Sequence, residues 1–163
     1  MATTDNHVTR ADHPGQFRGE LTDPGRRLRV LCVDDHPDTA DTVKAVAEVF
    51  GYEATACYDG PSAITTAEQF QPDICLLDLD MPGMDGIALS RWLTHQAGGR
   101  PVGILAVTAM AGEEYRRRTA AAGFHRHLIK PVDPERLKAE LSAVWEEALR
   151  AYSLLTTPVR STR

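Results

Sequence analysis

The chain has 163 residues, enough for one domain with a real core, and 42% of them are hydrophobic against 25% charged. Its formal net charge of −5 argues against a dedicated nucleic-acid binder, whose footprint would be basic. No apolar run approaches the roughly 20 residues of a membrane helix, and the N-terminus shows no secretory apolar core. No membrane contact is therefore expected, and the expected compartment is the cytoplasm.

Residues 1–27 are polar, are punctuated by Pro14, Gly15, Pro24 and Gly25, and balance acids against arginines. They read as a flexible N-terminal extension. From Leu28 the pattern changes. Leu28-Arg29-Val30-Leu31-Cys32-Val33 is a short apolar run that ends in Asp34-Asp35. A stripe of Val43, Val46, Ala47 and Phe50 follows at helical spacing and stops at Gly51. Residues 53–57 form a weaker strand. Pro61 then opens a second helix carrying Ala63, Ile64, Ala67 and Phe70.

Ile74-Cys75-Leu76-Leu77 ends in Asp78, and Ile87, Leu89, Trp92 and Leu93 mark a third helix closed by Gly98-Gly99. A fourth strand, residues 102–107, ends in Thr108, and residues 112–122 predict the helix after it. Leu128-Ile129 ends in Lys130-Pro131. Asp133 and Pro134 read as the cap and first residue of a last helix with Leu137, Leu141, Val144, Trp145, Ala148 and Leu149 on one stripe. The domain is expected over residues 28–150, with a short tail over 151–163. Cys32, Cys57 and Cys75 are odd in number and lack zinc-site spacing, so they read as small core side chains.

Five short runs that each end before a helix describe an α/β fold. Near-continuous apolar strands belong to a parallel sheet covered on both faces, and right-handed crossovers place all the strand ends on one edge. Asp34, Asp35, Asp78, Thr108 and Lys130 thus converge. Crowded carboxylates repel one another unless a cation compensates, and an oxygen-only donor set selects a hard ion such as Mg²⁺. Beside them, an ammonium and a hydroxyl complete a pocket suited to the oxygens of a phosphoryl group.

The segments Val33-Asp34-Asp35, Leu77-Asp78-Leu79-Asp80-Met81-Pro82-Gly83-Met84-Asp85-Gly86, Thr108-Ala109 and Ile129-Lys130-Pro131 resemble, in order, the motifs of response-regulator receiver domains. The resemblance spans roughly Arg29 to Leu149 and is carried by a chemotaxis-regulator-like, single-domain pattern. It implies a flavodoxin-like (βα)5 doubly wound sheet of five parallel strands in order 2-1-3-4-5. It also implies two-component signalling, with Asp78 accepting a phosphoryl group from the phosphohistidine of a sensor histidine kinase or a histidine phosphotransfer protein. Asp35 and Asp78 would ligate Mg²⁺ directly, the Asp80 backbone carbonyl would add a third ligand, and Asp34 would act largely through water. Lys130 would pair with Asp78 and then with the phosphoryl oxygens, Thr108 would swing onto them, and the Lys130-Pro131 peptide would be cis.

The partners implied are that phosphodonor and a downstream protein effector, with dimerisation through the fourth helix, fifth strand and fifth helix left open. The protein would then be a self-phosphorylating and self-dephosphorylating switch with no turnover of an independent substrate. Two positions depart from the common pattern. His127 stands where the family often has a Tyr or Phe switch residue, and Asp80 places an acid at the entrance of the site. Two other readings fit parts of the sequence. One is a receiver-like scaffold or dimerisation module that is never phosphorylated. The other is a haloacid-dehalogenase-like phosphatase, which Asp78-Leu79-Asp80 matches but whose later acid pair is missing.

Overall fold

The computed structural model describes residues 25–109 and 111–156. Five strands alternate with five helices: β1 (Arg29–Val33), α1 (Pro37–Val49), β2 (Glu53–Cys57), α2 (Gly60–Phe70), β3 (Ile74–Leu77), α3 (Gly86–Gln96), β4 (Gly103–Thr108), α4 (Glu113–Ala121), β5 (Arg126–Ile129) and α5 (Pro134–Thr156). All neighbouring strands pair in parallel, in the order β2-β1-β3-β4-β5. The three central strands are the most apolar, and every residue of β3 and β4 is buried. β2 and β5 lie at the edges and are only partly covered, which is why their sequence signals are weaker.

Side chains alternate across the strands and so build two cores. Leu31, Val33, Cys75, Leu77, Ile104 and Ala106 face α2, α3 and α4. Val30, Cys32, Leu76, Leu105, Val107 and Leu128 face α1 and α5. The three thiols are buried and unpaired. Burial pushes Cys32 up to about 12 and raises Cys75 and Cys57 as well, so all three remain protonated and inert at neutral pH.

At the C-terminal end α5 runs to Thr156, its apolar stripe continuing to the buried Tyr152. At the other end Arg26, inside the stretch read as a free extension, is tied down. Its Nη2 lies 2.8 Å from Oδ1 of Asp73, a fully buried carboxylate just before β3. Asp73 also accepts from the Arg29 backbone N–H at 2.8 Å, with Arg100 Nη1 at 3.4 Å. The rest of the expected extension and the tail beyond Thr156 lie outside the described residues. No helix among the described residues is long and apolar enough to cross a membrane.

Candidate functional site

The sheet's carboxyl edge is assembled by backbone hydrogen bonds that run one step past the strands. The Asp34 N–H donates to the Cys57 carbonyl at 3.1 Å, and the Asp78 N–H donates to Val33 at 2.8 Å. Lys130 N–H donates to the Thr108 carbonyl at 2.9 Å. Each functional side chain is therefore fixed by the ladder of a neighbouring strand. The helix N-termini gather on the same edge. Asp59, Asp85 and Asp133 cap α2, α3 and α5 by accepting from Ser62, Ala88 and Arg136 N–H groups at 2.6, 2.7 and 2.9 Å. The positive ends of these helices favour an edge crowded with carboxylates.

Asp34 and Asp78 are both buried, and Lys130 lies between them. Its Nζ is 2.5 Å from Asp34 Oδ2 and 3.3 Å from Asp78 Oδ2. The lysine thus leans toward Asp34, whereas the sequence pattern points it at Asp78. Burial holds the Asp78 carboxyl above its ordinary range, and Asp34 pushes the same way, while Lys130 opposes both. Burial alone would lower the Lys130 ammonium, but the contacts with Asp34 and Asp78 outweigh it and raise it.

Thr108 is buried at the end of β4, in register with Ile129. His127 pairs with Ala106 two residues back, so Thr108 and His127 share one sheet face, the one covered by α2, α3 and α4. His127 is half-buried there. Asp80 is exposed beyond the nucleophile position, and its N–H lies 3.4 Å from Asp78 Oδ1. The Lys130–Pro131 peptide is cis. α3 abuts the backbone of Asp78 and Leu79 through Gly86, whose N–H donates to the Leu79 carbonyl at 3.2 Å.

One residue of the site is absent from the sequence reading. His36, the N-cap of α1, turns its ring back onto the acidic pair, with Nδ1 3.2 Å from Asp35 Oδ1 and 3.5 Å from Asp34 Oδ1. Asp34, Asp35 and His36 each place a ligand atom within 4.8 Å of the others. The donor set fits a divalent cation. Three carboxylates, two of them buried, face a single ammonium, so the pocket carries uncompensated negative charge.

Residues 30–142 match the family model of the response regulator receiver domain. The chain is 32% identical to Protein PilH of Pseudomonas aeruginosa over 116 residues, 71% of this chain and 96% of that one. It is 31% identical to the Sensor protein EvgS of Escherichia coli over 122 residues, 75% of this chain but only 10% of that protein. The crystal structure of chemotaxis protein CheY4 of Vibrio cholerae superposes with a TM-score of 0.69 at 28% identity, covering 73% of this chain and 99% of that one. The strand order, the carboxylate–lysine edge and these matches agree: the chain belongs to the response-regulator receiver family of two-component signalling.

Proposed function

We propose that this receiver takes a phosphoryl group on Asp78 from the phosphohistidine of a sensor kinase or phosphotransfer protein. The observation that carries the reading is the buried Asp78 carboxylate at the end of β3, faced by Asp34 and the Lys130 ammonium. An Asp78 oxygen attacks phosphorus, the P–N bond to the donor imidazole breaks, and that imidazole leaves and takes up a proton. Asp34, Asp35, Asp78 and the Asp80 carbonyl would hold Mg²⁺, which neutralises charge on the transferred group. Lys130 and the Thr108 hydroxyl meet the phosphoryl oxygens. Asp35, being more open than Asp34, stands nearer the solvent side of the pocket.

A groove of about 530 Å³ runs between α1 and the loop after β5, beside Lys130, and Thr39, Val43, Val46, Pro131, Val132 and Leu137 line it. An apolar groove at the mouth of the acidic site suits a helix that presents a phosphohistidine.

Phosphorylation adds about −1.5 to −2 units of charge and three acceptor oxygens. Drawing Thr108 and Lys130 onto them biases a conformational equilibrium read on the α4–β5–α5 face, by an effector or a second copy of the chain. His127, on β5, shares the sheet face of Thr108 and takes the place of the family's usual aromatic. The protein acts as a switch that is phosphorylated and hydrolyses its own acyl phosphate, in the cytoplasm, without an independent substrate.

Intact-protein mass after incubation with acetyl phosphate and Mg²⁺ tests this. One added phosphoryl group that disappears in Asp78→Asn and with EDTA supports the reading. An unmodified wild-type protein, under conditions that label another receiver, would instead favour the scaffold reading.

A further inference from the structure

A pocket made only of carboxylates and carbonyls is selective for hard cations. This one contains an imidazole. His36 reaches it because α1 starts at Pro37, which leaves His36 as an extended N-cap (φ −95°, ψ 106°) with no capping bond from its side chain. Its backbone N–H donates to Asp34 Oδ1 at 3.0 Å, which ties the start of α1 to that carboxylate, and the ring and both carboxylates each place a ligand atom within 4.8 Å of the others. The ring is 76% exposed, so packing does not impose its position.

The His36 ring hydrogen-bonds Asp35 through Nδ1, and the separations are also compatible with ligands that share an ion. Atoms bound at about 2.1 Å stand about 3.0 Å apart when cis in an octahedron and about 3.4 Å apart in a tetrahedron. The His36 Nδ1 distances to Asp35 and Asp34 are 3.2 and 3.5 Å. Imidazole suits zinc and other late first-row ions far better than Mg²⁺.

We propose that Asp34, Asp35 and His36 form a nitrogen-containing site that binds Zn²⁺ or a similar borderline ion more tightly than Mg²⁺. The proposal rests on the reading of Asp34 and Asp35 as metal ligands and adds an ion preference set by this chain's own His36. Asp34 would face the ion through Oδ1 while Oδ2 stays on Lys130. Asp78 is outside the triad. An ion of this class therefore occupies the carboxylates on which phosphoryl uptake depends without engaging the acceptor, and Zn²⁺ competes with Mg²⁺ as a brake.

The test is equilibrium binding to the full chain at neutral pH. Zn²⁺ is followed by competition with a chromophoric chelator, and Mn²⁺ by the electron paramagnetic resonance of the free ion. Wild type is compared with His36→Asn and Asp35→Asn. The chain has six histidines, so long-range ¹⁵N–¹H spectra with and without Zn²⁺ assign the ring that binds. The expected result is a loss of at least about tenfold in Zn²⁺ affinity in His36→Asn, with the His36 ring nitrogen shifted by Zn²⁺ in wild type. Mn²⁺, a weaker partner for nitrogen, should change by less than about twofold in that variant, and both ions should weaken in Asp35→Asn. Unchanged Zn²⁺ affinity in His36→Asn beside normal Mn²⁺ binding would overturn the proposal and leave the hard-cation reading intact. Failure of wild type to bind either ion would remove both.

Discussion

Gly86 offers a direct measure of how rigidly the nucleophile is held. It is the first residue of α3, where alanine ordinarily gains up to about 1 kcal/mol of helix stability over glycine. Here a Cβ would sit 2.2 Å from the Asp78 carbonyl oxygen, 3.0 Å from its carbonyl carbon and 3.1 Å from Leu79 Cα. Contacts under 3.0 Å are essentially never seen, so α3 and the Asp78 backbone must separate by at least 0.8 Å. Every atom in the way is backbone, so no rotamer change relieves the clash. Overpacking of this kind costs about 1–3 kcal/mol, which outweighs the propensity gain. Gly86→Ala is therefore expected to be destabilised by about 1–2 kcal/mol in urea unfolding. A displacement approaching 1 Å at the attacking group should slow phosphoryl uptake from acetyl phosphate about 100-fold. Gly103→Ala is the control. Its Cβ would meet Val144 Cγ2 at 3.1 Å at the start of β4, far from the carboxyl edge, so an α5 side chain must give by a few tenths of an ångström and uptake should be unaffected. A Gly86→Ala protein as stable as wild type, and phosphorylated at an undiminished rate, would refute the argument that this contact positions Asp78.

Other perturbations probe other parts of the chain. Asp73→Asn leaves the guanidiniums of Arg26 and Arg100 around a neutral buried amide. It should cost about 3 kcal/mol in urea unfolding while uptake by the folded fraction stays normal, because the cluster lies at the opposite edge of the sheet. Lys130→Met removes the group that opposes burial and Asp34 at Asp78, so the Asp78 carboxyl should ionise at a higher pH, as read by ¹³C titration. Asp78→Asn should be more stable than metal-free wild type at neutral pH. The folded carboxyl is raised above 3.8, so wild type loses stability as pH climbs through that window and the amide does not. His125 accepts from the Ile104 N–H through Nδ1 at 3.1 Å, and burial lowers its ring against the pull of Glu147, with Arg126 acting the same way as burial. Its contribution is complete above about pH 6.5 and declines as pH falls below that value, because the unfolded chain protonates first. His125→Asn should cost about 1 kcal/mol above that range and flatten the decline in urea midpoint between neutral and mildly acidic pH.

The legible parts of this molecule are those in which one residue's type already reports its environment. β3 and β4 are continuous apolar runs because both faces are covered, and Asp78 and Thr108 stand out because polar residues interrupt those runs where the sheet ends. Parallel topology then brings the ends together without further information. The illegible parts depend on where a second segment arrives. Arg26 reads as one more charge in a polar stretch until β1 is laid beside β3, which brings Asp73, 47 residues away, to within 2.8 Å. Lys130 reads as a partner of Asp78, yet its shorter contact is with Asp34, a matter of side-chain reach across β1 and β3 that no spacing encodes. α5 carries its buried stripe to Tyr152, in phase with Val144 and Ala148, but Leu154 and Leu155 beyond it are exposed, so residue type alone does not mark where the buried face ends. His36 is the instructive case. In the sequence it is a residue between an acidic pair and a proline; only the N-cap geometry that Pro37 imposes turns its ring onto the carboxylates. A motif therefore identifies the chemistry common to a family. The neighbour that sets the ion preference of one member lies just outside it, and is found by asking where each polar side chain at the strand end can reach.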